Sequence, residues 1–249
     1  IMTARRTAAA VLNIILAAAA AALFAALIAL NAMRRYSDVR IPEFCIVPLC
    51  LVFALCNFKN FASVDGILTV LALIFTTCAD YVMVLLNTNY PLSLCFFAAA
   101  QVTYCVRIQL MRRDLKYLAI SLPLRVIVCA AAVIGIGVPF EWDALLVLAA
   151  FYFTNLIFNA AEALIMIKSG LANILFFAGL LLFAGCDICV GLNSAGEVGL
   201  ELSAAGLYAV NILIWVFYMP SQILIALSAC RPKEFFKKIF RREDGRQIG

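Results

Sequence analysis

Long, almost unbroken apolar stretches separated by short polar breaks run along the whole chain. Eight can be bounded, near residues 8–30, 41–57, 64–86, 90–110, 117–138, 143–167, 171–192 and 205–229. Each approaches the ~20 residues that a helix rising ~1.5 Å per residue needs to cross ~30 Å of hydrocarbon. Runs this long and continuous exclude a closed transmembrane sheet, whose strands are short and alternate lipid-facing with lumen-facing positions. The expected fold is therefore all-α: a polytopic membrane protein built as a bundle of eight transmembrane helices. Short loops predict that consecutive helices are antiparallel neighbours. A single domain is expected over residues 1–230, followed by a basic tail over 231–249 and leaving no length for a soluble domain.

Composition agrees with a bilayer as solvent: 66% of residues are hydrophobic, 13% are charged, and the mean hydropathy is +1.07. The first run follows Arg5 and Arg6 as a signal peptide would. It is long, however, and no cleavage-like exit precedes Arg34 and Arg35, so it reads as a retained span. All ten cysteines fall in or at the ends of apolar segments, where a thiol acts as a small hydrophobe, and a disulfide framework is not expected. Cys186 and Cys189 form the one close pair, and packing is its expected role. The chain has no histidine, which removes the usual zinc ligand and the usual neutral-pH proton carrier. No metal site and no cofactor are expected, and acid–base chemistry falls to carboxylates, tyrosines, cysteines or lysines.

Charges in the breaks set the orientation. One side collects Arg5, Arg6, Lys59, Arg112, Arg113, Lys116, Lys168 and the basic residues after Arg231; the other has only Arg34, Arg35 and Arg40. The excess of Lys and Arg marks the cytoplasmic side, which puts both termini there, as expected for the plasma (inner) membrane of a bacterium. The tail from Lys233 to Arg242 alternates bases with aromatics, a pattern suited either to anionic lipid at the interface or simply to setting the topology, and not to nucleic acid. Ala17 to Ala22 form a run of small residues, which in a span predicts close helix packing.

Ionisable groups inside a span are costly and mark a functional site or a buried pair. Asp80 in the third span and Asp187 in the seventh each lie 16 residues beyond their span's cytoplasmic start. That is about 24 Å of helix rise, so both carboxylates fall in one layer in the outer third of the membrane. In the eighth span Tyr208, Asn211, Trp215, Tyr218 and Gln222 recur at helical spacing on one face. Gln101 and Tyr104 share a face of the fourth span, and Tyr152, Asn155, Asn159 and Glu162 share one of the sixth. Lipid satisfies none of these groups, so the faces must look into the bundle, either to bind one another or to line a site. Arg125 and Glu162 lie toward the cytoplasmic end and suggest a structural ion pair or a lipid-headgroup ligand. Gly135, Gly137 and Gly185 read as packing or helix-end glycines. No nucleotide-binding, zinc-protease or serine-hydrolase signature is present.

Several short motifs, taken in order, resemble a known family. Cys78-Ala79-Asp80 in the third span is followed by Phe96-Phe97-Ala98-Ala99-Ala100-Gln101-Val102-Thr103-Tyr104; later come Leu181-Leu182-Phe183-Ala184-Gly185-Cys186-Asp187 and Tyr218-Met219-Pro220-Ser221-Gln222. Across roughly residues 40–229 this resembles the YhhN family of eight-span membrane proteins, which includes the lysoplasmalogenases. The chain departs from the family pattern at Val47, where a lysine is usual before Pro48, at Ala79 in place of glycine, and at Gln101 in place of histidine. Asp80, Tyr104, Asp187, Tyr218 and Gln222 keep the pattern.

The resemblance implies hydrolysis of the vinyl ether bond of a lysophospholipid drawn from the bilayer. Vinyl ethers hydrolyse by protonation of the alkenyl carbon and capture of the resulting oxocarbenium ion by water, chemistry that needs neither metal nor serine nucleophile. Two carboxyl groups in different surroundings can divide this work, one holding a proton and the other ionised. Asp80 and Asp187 are the expected catalytic pair. Gln101, Tyr104, Asn155, Asn211, Trp215, Tyr218 and Gln222 are the expected substrate-binding groups. A non-catalytic transporter or lipid-binding protein with a polar central cavity is the alternative, since intramembrane aspartates also serve proton relays.

Overall fold

The computed structural model describes residues 2–33, 39–57, 63–140, 143–194 and 202–230, with side chains from residue 11 onward and outside 136–140. Among these residues there are eight α-helices and no strand: α1 Met2–Ala32, α2 Arg40–Cys56, α3 Val64–Asp80, α4 Tyr90–Arg112, α5 Leu115–Phe140, α6 Ala144–Ile165, α7 Leu171–Ser194 and α8 Ala204–Ala229. Seven are long and apolar enough to cross a bilayer; α2, with 17 residues, is the exception. Membrane helices of this kind follow directly from the sequence, because a backbone in hydrocarbon must satisfy its own N–H and C=O groups. The basic tail over 231–249 and the loop charges Arg34, Arg35 and Lys59 lie outside the described residues.

Six helices close a ring in the order α2, α3, α4, α6, α7, α8 and back to α2, with α3 also touching α8 across it. The tightest seam is α7 on α8. A side chain at Gly179 would bring its Cβ to 2.7 Å from the Ile225 side chain and within 3.1 Å of the α8 backbone, so only glycine permits this approach. Gly185 packs on Phe217 of the same seam. Gly135, by contrast, has nothing within 4 Å of the place a Cβ would take and is no packing glycine.

The expectation that consecutive helices are neighbours fails at one place. α4 packs on α6, and α5 is left outside the ring, chiefly against α6. The reason is visible along α5: from Leu115 to Gly135 its buried residues are Ser121 and Arg125, both polar, while Ile120, Val126 and Ile127 face outward. A helix with an aliphatic surface and two inward polar residues docks through those two and leaves the rest to lipid. α1 is likewise peripheral, against α2 and α8. Of its alanine run only Ala20 packs on the core, which corrects the close packing expected there. Its firm attachment is a pair of amides: Asn13 Nδ2 donates to Asn57 Oδ1 (3.2 Å) and Asn57 Nδ2 to Asn13 Oδ1 (2.7 Å).

Candidate functional site

The starts of α3 and α7 fall at Val64 and Leu171, so Asp80 and Asp187 keep the common interval of 16 residues from the ends of their helices. Asp80 closes the α-helical part of α3, and the chain continues as a π-turn over Tyr81–Leu85, with Leu86 N bonding Tyr81 O at 3.0 Å. Such turns place one residue more per loop of helix and recur at functional sites. Where the hydrogen-bond ladder changes register, the buried Ser93 hydroxyl of α4 donates to Ala79 O at 3.0 Å. The Asp80 side chain is only 3% exposed, and the Tyr218 hydroxyl of α8 donates to both its oxygens, at 2.8 and 2.7 Å. Two residues on, Pro220 lies inside the continuous α8.

Asp187 of α7 is half-buried and has a phenol of its own: the Tyr152 hydroxyl of α6 donates to its Oδ2 at 2.5 Å. A continuous path of rings joins the two acid–phenol pairs. Tyr152 meets Phe97 at 5.9 Å between centroids, Phe97 meets Phe183 at 6.1 Å, and Phe183 meets Tyr218 at 5.7 Å. Trp215 extends it edge-on to Tyr218 at 5.9 Å. Five helices thus deliver two carboxylates, each hydrogen-bonded to a tyrosine, onto an aromatic wall. In such low-dielectric surroundings hydrogen bonds to a carboxylate are strong and hold its orientation.

The remaining residues singled out in the sequence divide. Gln222 and Gln101 are fully buried. Gln222 Nε2 reaches Ser221 Oγ at 3.3 Å, and its Oε1 has no protein partner. Gln101 accepts from Asn159 Nδ2 through both its Oε1 (3.0 Å) and its backbone oxygen (2.8 Å), while its Nε2 has no protein partner. Tyr104 is fully buried against Phe176, 5.6 Å between centroids. Asn211 donates back to Leu207 O of its own helix (3.0 Å) and does not join the acid–phenol pairs. Asn155 accepts from Arg125 Nη1 at 3.0 Å and belongs to a different cluster.

That cluster is the buried ion pair expected from Arg125 and Glu162, whose charged groups meet at 2.9 Å with both side chains at most 5% exposed. Arg125 also donates to Asn159 Oδ1 at 3.0 Å. Glu162 further accepts from Ser121 and, at 3.0 Å, from Gln109 Nε2. Only the first member of the α6 stripe, Tyr152, reaches an aspartate; the other three turn to Arg125.

Two features escaped the sequence reading. The π-turn is one, since neither proline nor glycine marks it. The other is Arg107 of α4, which is 1% exposed, bound to Asp65 of α3 through Nε (2.5 Å) and Nη2 (3.3 Å), and lies 4.1 Å over the Phe176 ring. Its signal was present as a lone cation inside an apolar run. Among the described residues no three or more Cys, Asp or Glu side chains gather as metal ligands would, and Cys186 and Cys189 are free thiols, both buried.

A family model described as the YhhN family matches residues 41–229, which begins at α2 and ends at the last residue of α8. No curated protein and no solved structure gives a significant match.

Proposed function

The chain belongs to the YhhN family, and on that premise we propose that it is a lysoplasmalogenase-like hydrolase of the bilayer, cleaving the vinyl ether bond of a lysoplasmalogen. The observation that carries this reading is the pairing of two carboxylates inside the helix bundle, Asp80 and Asp187, each with a tyrosine hydroxyl, along one aromatic wall.

The reaction adds one water across one bond. A carboxylic acid gives its proton to the alkenyl carbon, and the cation that forms is shared between the neighbouring carbon and the ether oxygen. Water adds to that carbon and loses a proton to a carboxylate. The hemiacetal then collapses to a fatty aldehyde and the free hydroxyl of the glycerophospho-alcohol, the second carboxyl giving its proton to the leaving ether oxygen and the first recovering one from the hemiacetal hydroxyl, with no net proton used. We assign the donor to Asp80, the more enclosed of the two, and the water-orienting carboxylate to Asp187, the more accessible. Aromatic faces are suited to a developing cation, and Trp215, Tyr218 and Phe183 supply them. Gln101 Nε2 and Gln222 Oε1, a donor and an acceptor without protein partners, are the assigned anchors for the polar part of the substrate. Tyr104, three residues along α4 from Gln101, is assigned beside it, its ring against Phe176. Asn155 and Asn211, whose polar ends bond within the protein, are assigned to packing and not to substrate.

The charge distribution over the loops supports an inner-membrane placement with both termini cytoplasmic and the tail after Arg231 on anionic lipid. The test is product identification. Purified protein incubated with a lysoplasmalogen should release fatty aldehyde, and Asp80→Asn and Asp187→Asn should each lower that release by about 100-fold or more, within the range for loss of a general acid or base. Folded variants that work at the parental rate would refute the assignment. Solute flux in proteoliposomes without aldehyde would refute the hydrolase reading itself.

A further inference from the structure

Away from the two aspartates, the end of the bundle where α3 begins and α4 turns into α5 holds a cleft of about 770 Å³. Asp65, Arg107, Gln109, Arg113 and Asp114 line it. Measured along α3, Asp65 is 15 residues from Asp80, about 22 Å of helix rise, so a molecule whose head binds here presents no bond near the head to that acid.

We propose that this cleft is a binding site for a phospholipid whose head carries both a phosphate and a primary ammonium, that is, a phosphoethanolamine head. Four observations support it. First, Arg107 is 1% exposed, fixed on one edge by Asp65 and on one face by Phe176, and its Nη1 has no protein partner. A buried guanidinium with a spare N–H is built to receive a phosphate oxygen. Second, Gln109 is held through its Nε2 by Glu162, while its Oε1 has no protein partner. That oxygen calls for an N–H or O–H donor; an ethanolamine ammonium has three and a choline head has none. Third, the charges come in opposite pairs, Arg107 and Arg113 against Asp65 and Asp114, so a simple anion or cation meets as much repulsion as attraction, while a zwitterion satisfies both signs. Arg113 takes a left-handed backbone (φ 53°) at the α4–α5 turn, and Asp114 keeps its place by capping α5, its Oδ1 accepting from Lys116 N and Tyr117 N. Fourth, Val64, Leu110 and Leu115 on the rim are 61%, 49% and 81% exposed, an apolar surface against which acyl chains can lie. The inference is independent of the hydrolase reading.

The test is native mass spectrometry of the full chain released from detergent with equimolar phosphatidylethanolamine, phosphatidylcholine and phosphatidylglycerol of identical chains. The expected result is retention of phosphatidylethanolamine at least tenfold above the other two. Arg113→Ala, and Asp114→Asn, which keeps the capping oxygen and removes the charge, should each lower that retention about tenfold. Soluble glycerophosphoethanolamine at the same concentration should not displace the lipid. Equal retention of the three lipids, undiminished retention in both variants, or displacement by the soluble head alone would overturn the proposal.

Discussion

Tyr218→Phe isolates the smallest part of the proposed machinery. The substitution removes one oxygen and keeps the ring, so the edge contacts to Phe183 (5.7 Å) and Trp215 (5.9 Å) survive and α8 stays seated. What is lost is the hydroxyl that bridges both oxygens of Asp80 at 2.7 and 2.8 Å, which leaves a 3%-exposed carboxyl without its tyrosine. As Asp80 gives up its proton it becomes the carboxylate that this hydroxyl holds, and a hydrogen bond to a charged group contributes about 1.5–3 kcal/mol. At about 1.4 kcal/mol per factor of ten, kcat/KM should fall by roughly 10- to 150-fold if the bond is needed in the transition state. The assay is aldehyde release from a lysoplasmalogen by purified protein. A double-mutant cycle with Asp80→Asn makes it specific: once Asp80 is amidated, the loss of the hydroxyl should cost little more, because residues that act as a unit are far from additive. Parental activity in a folded Tyr218→Phe protein, or fully additive losses, would refute the reasoning.

Other outcomes follow from packing and burial. Gly179→Ala forces a methyl group against Ile225 and the α8 backbone and should lower stability by about 1–3 kcal/mol in a thermal-shift measurement in detergent. Gly191→Ala, with nothing within 4 Å of its added carbon, should leave the midpoint unchanged or slightly raised. Arg125→Met strands Glu162 in the interior and should cost about 3–5 kcal/mol, of which the double variant with Glu162→Gln should recover a large part. Equal destabilisation by the single and double variants would show that the pair is not coupled.

The spans were legible because length and apolarity alone decide what crosses a bilayer, and seven of the eight helices meet that measure. The common depth of Asp80 and Asp187 was legible for a related reason: helix rise converts residue number into height. Rotation about the helix axis was not. The α6 stripe of Tyr152, Asn155, Asn159 and Glu162 reads as one polar face, yet its first member turns to Asp187 of α7 and the rest to Arg125 of α5, both helices packing on α6. Lateral order escaped as well. Short loops made α5 look like the neighbour of α4, and only the scarcity of inward residues on α5 tells that it stands outside the ring. Arg107 escaped because basic residues were weighed at the loops, where they set orientation, and not inside the run where this one is buried.

The reciprocal amides of Asn13 and Asn57 bear on how the outermost helix finds its height. A smooth apolar rod against a smooth apolar wall has no preferred draught in hydrocarbon, since every vertical offset buries a similar surface. Two amides that each both give and receive behave like a peg in a single hole: a slip of one residue, about 1.5 Å, breaks both bonds together and leaves Asn13 Nδ2, Asn13 Oδ1 and Asn57 Oδ1 without their partners, while Asn57 Nδ2 keeps Phe53 O (2.9 Å). The amide tooth near the end of α2 therefore adds a polar catch to the apolar knob of Leu27, and Asn13→Leu should leave that helix in the membrane while lowering the thermal midpoint in detergent.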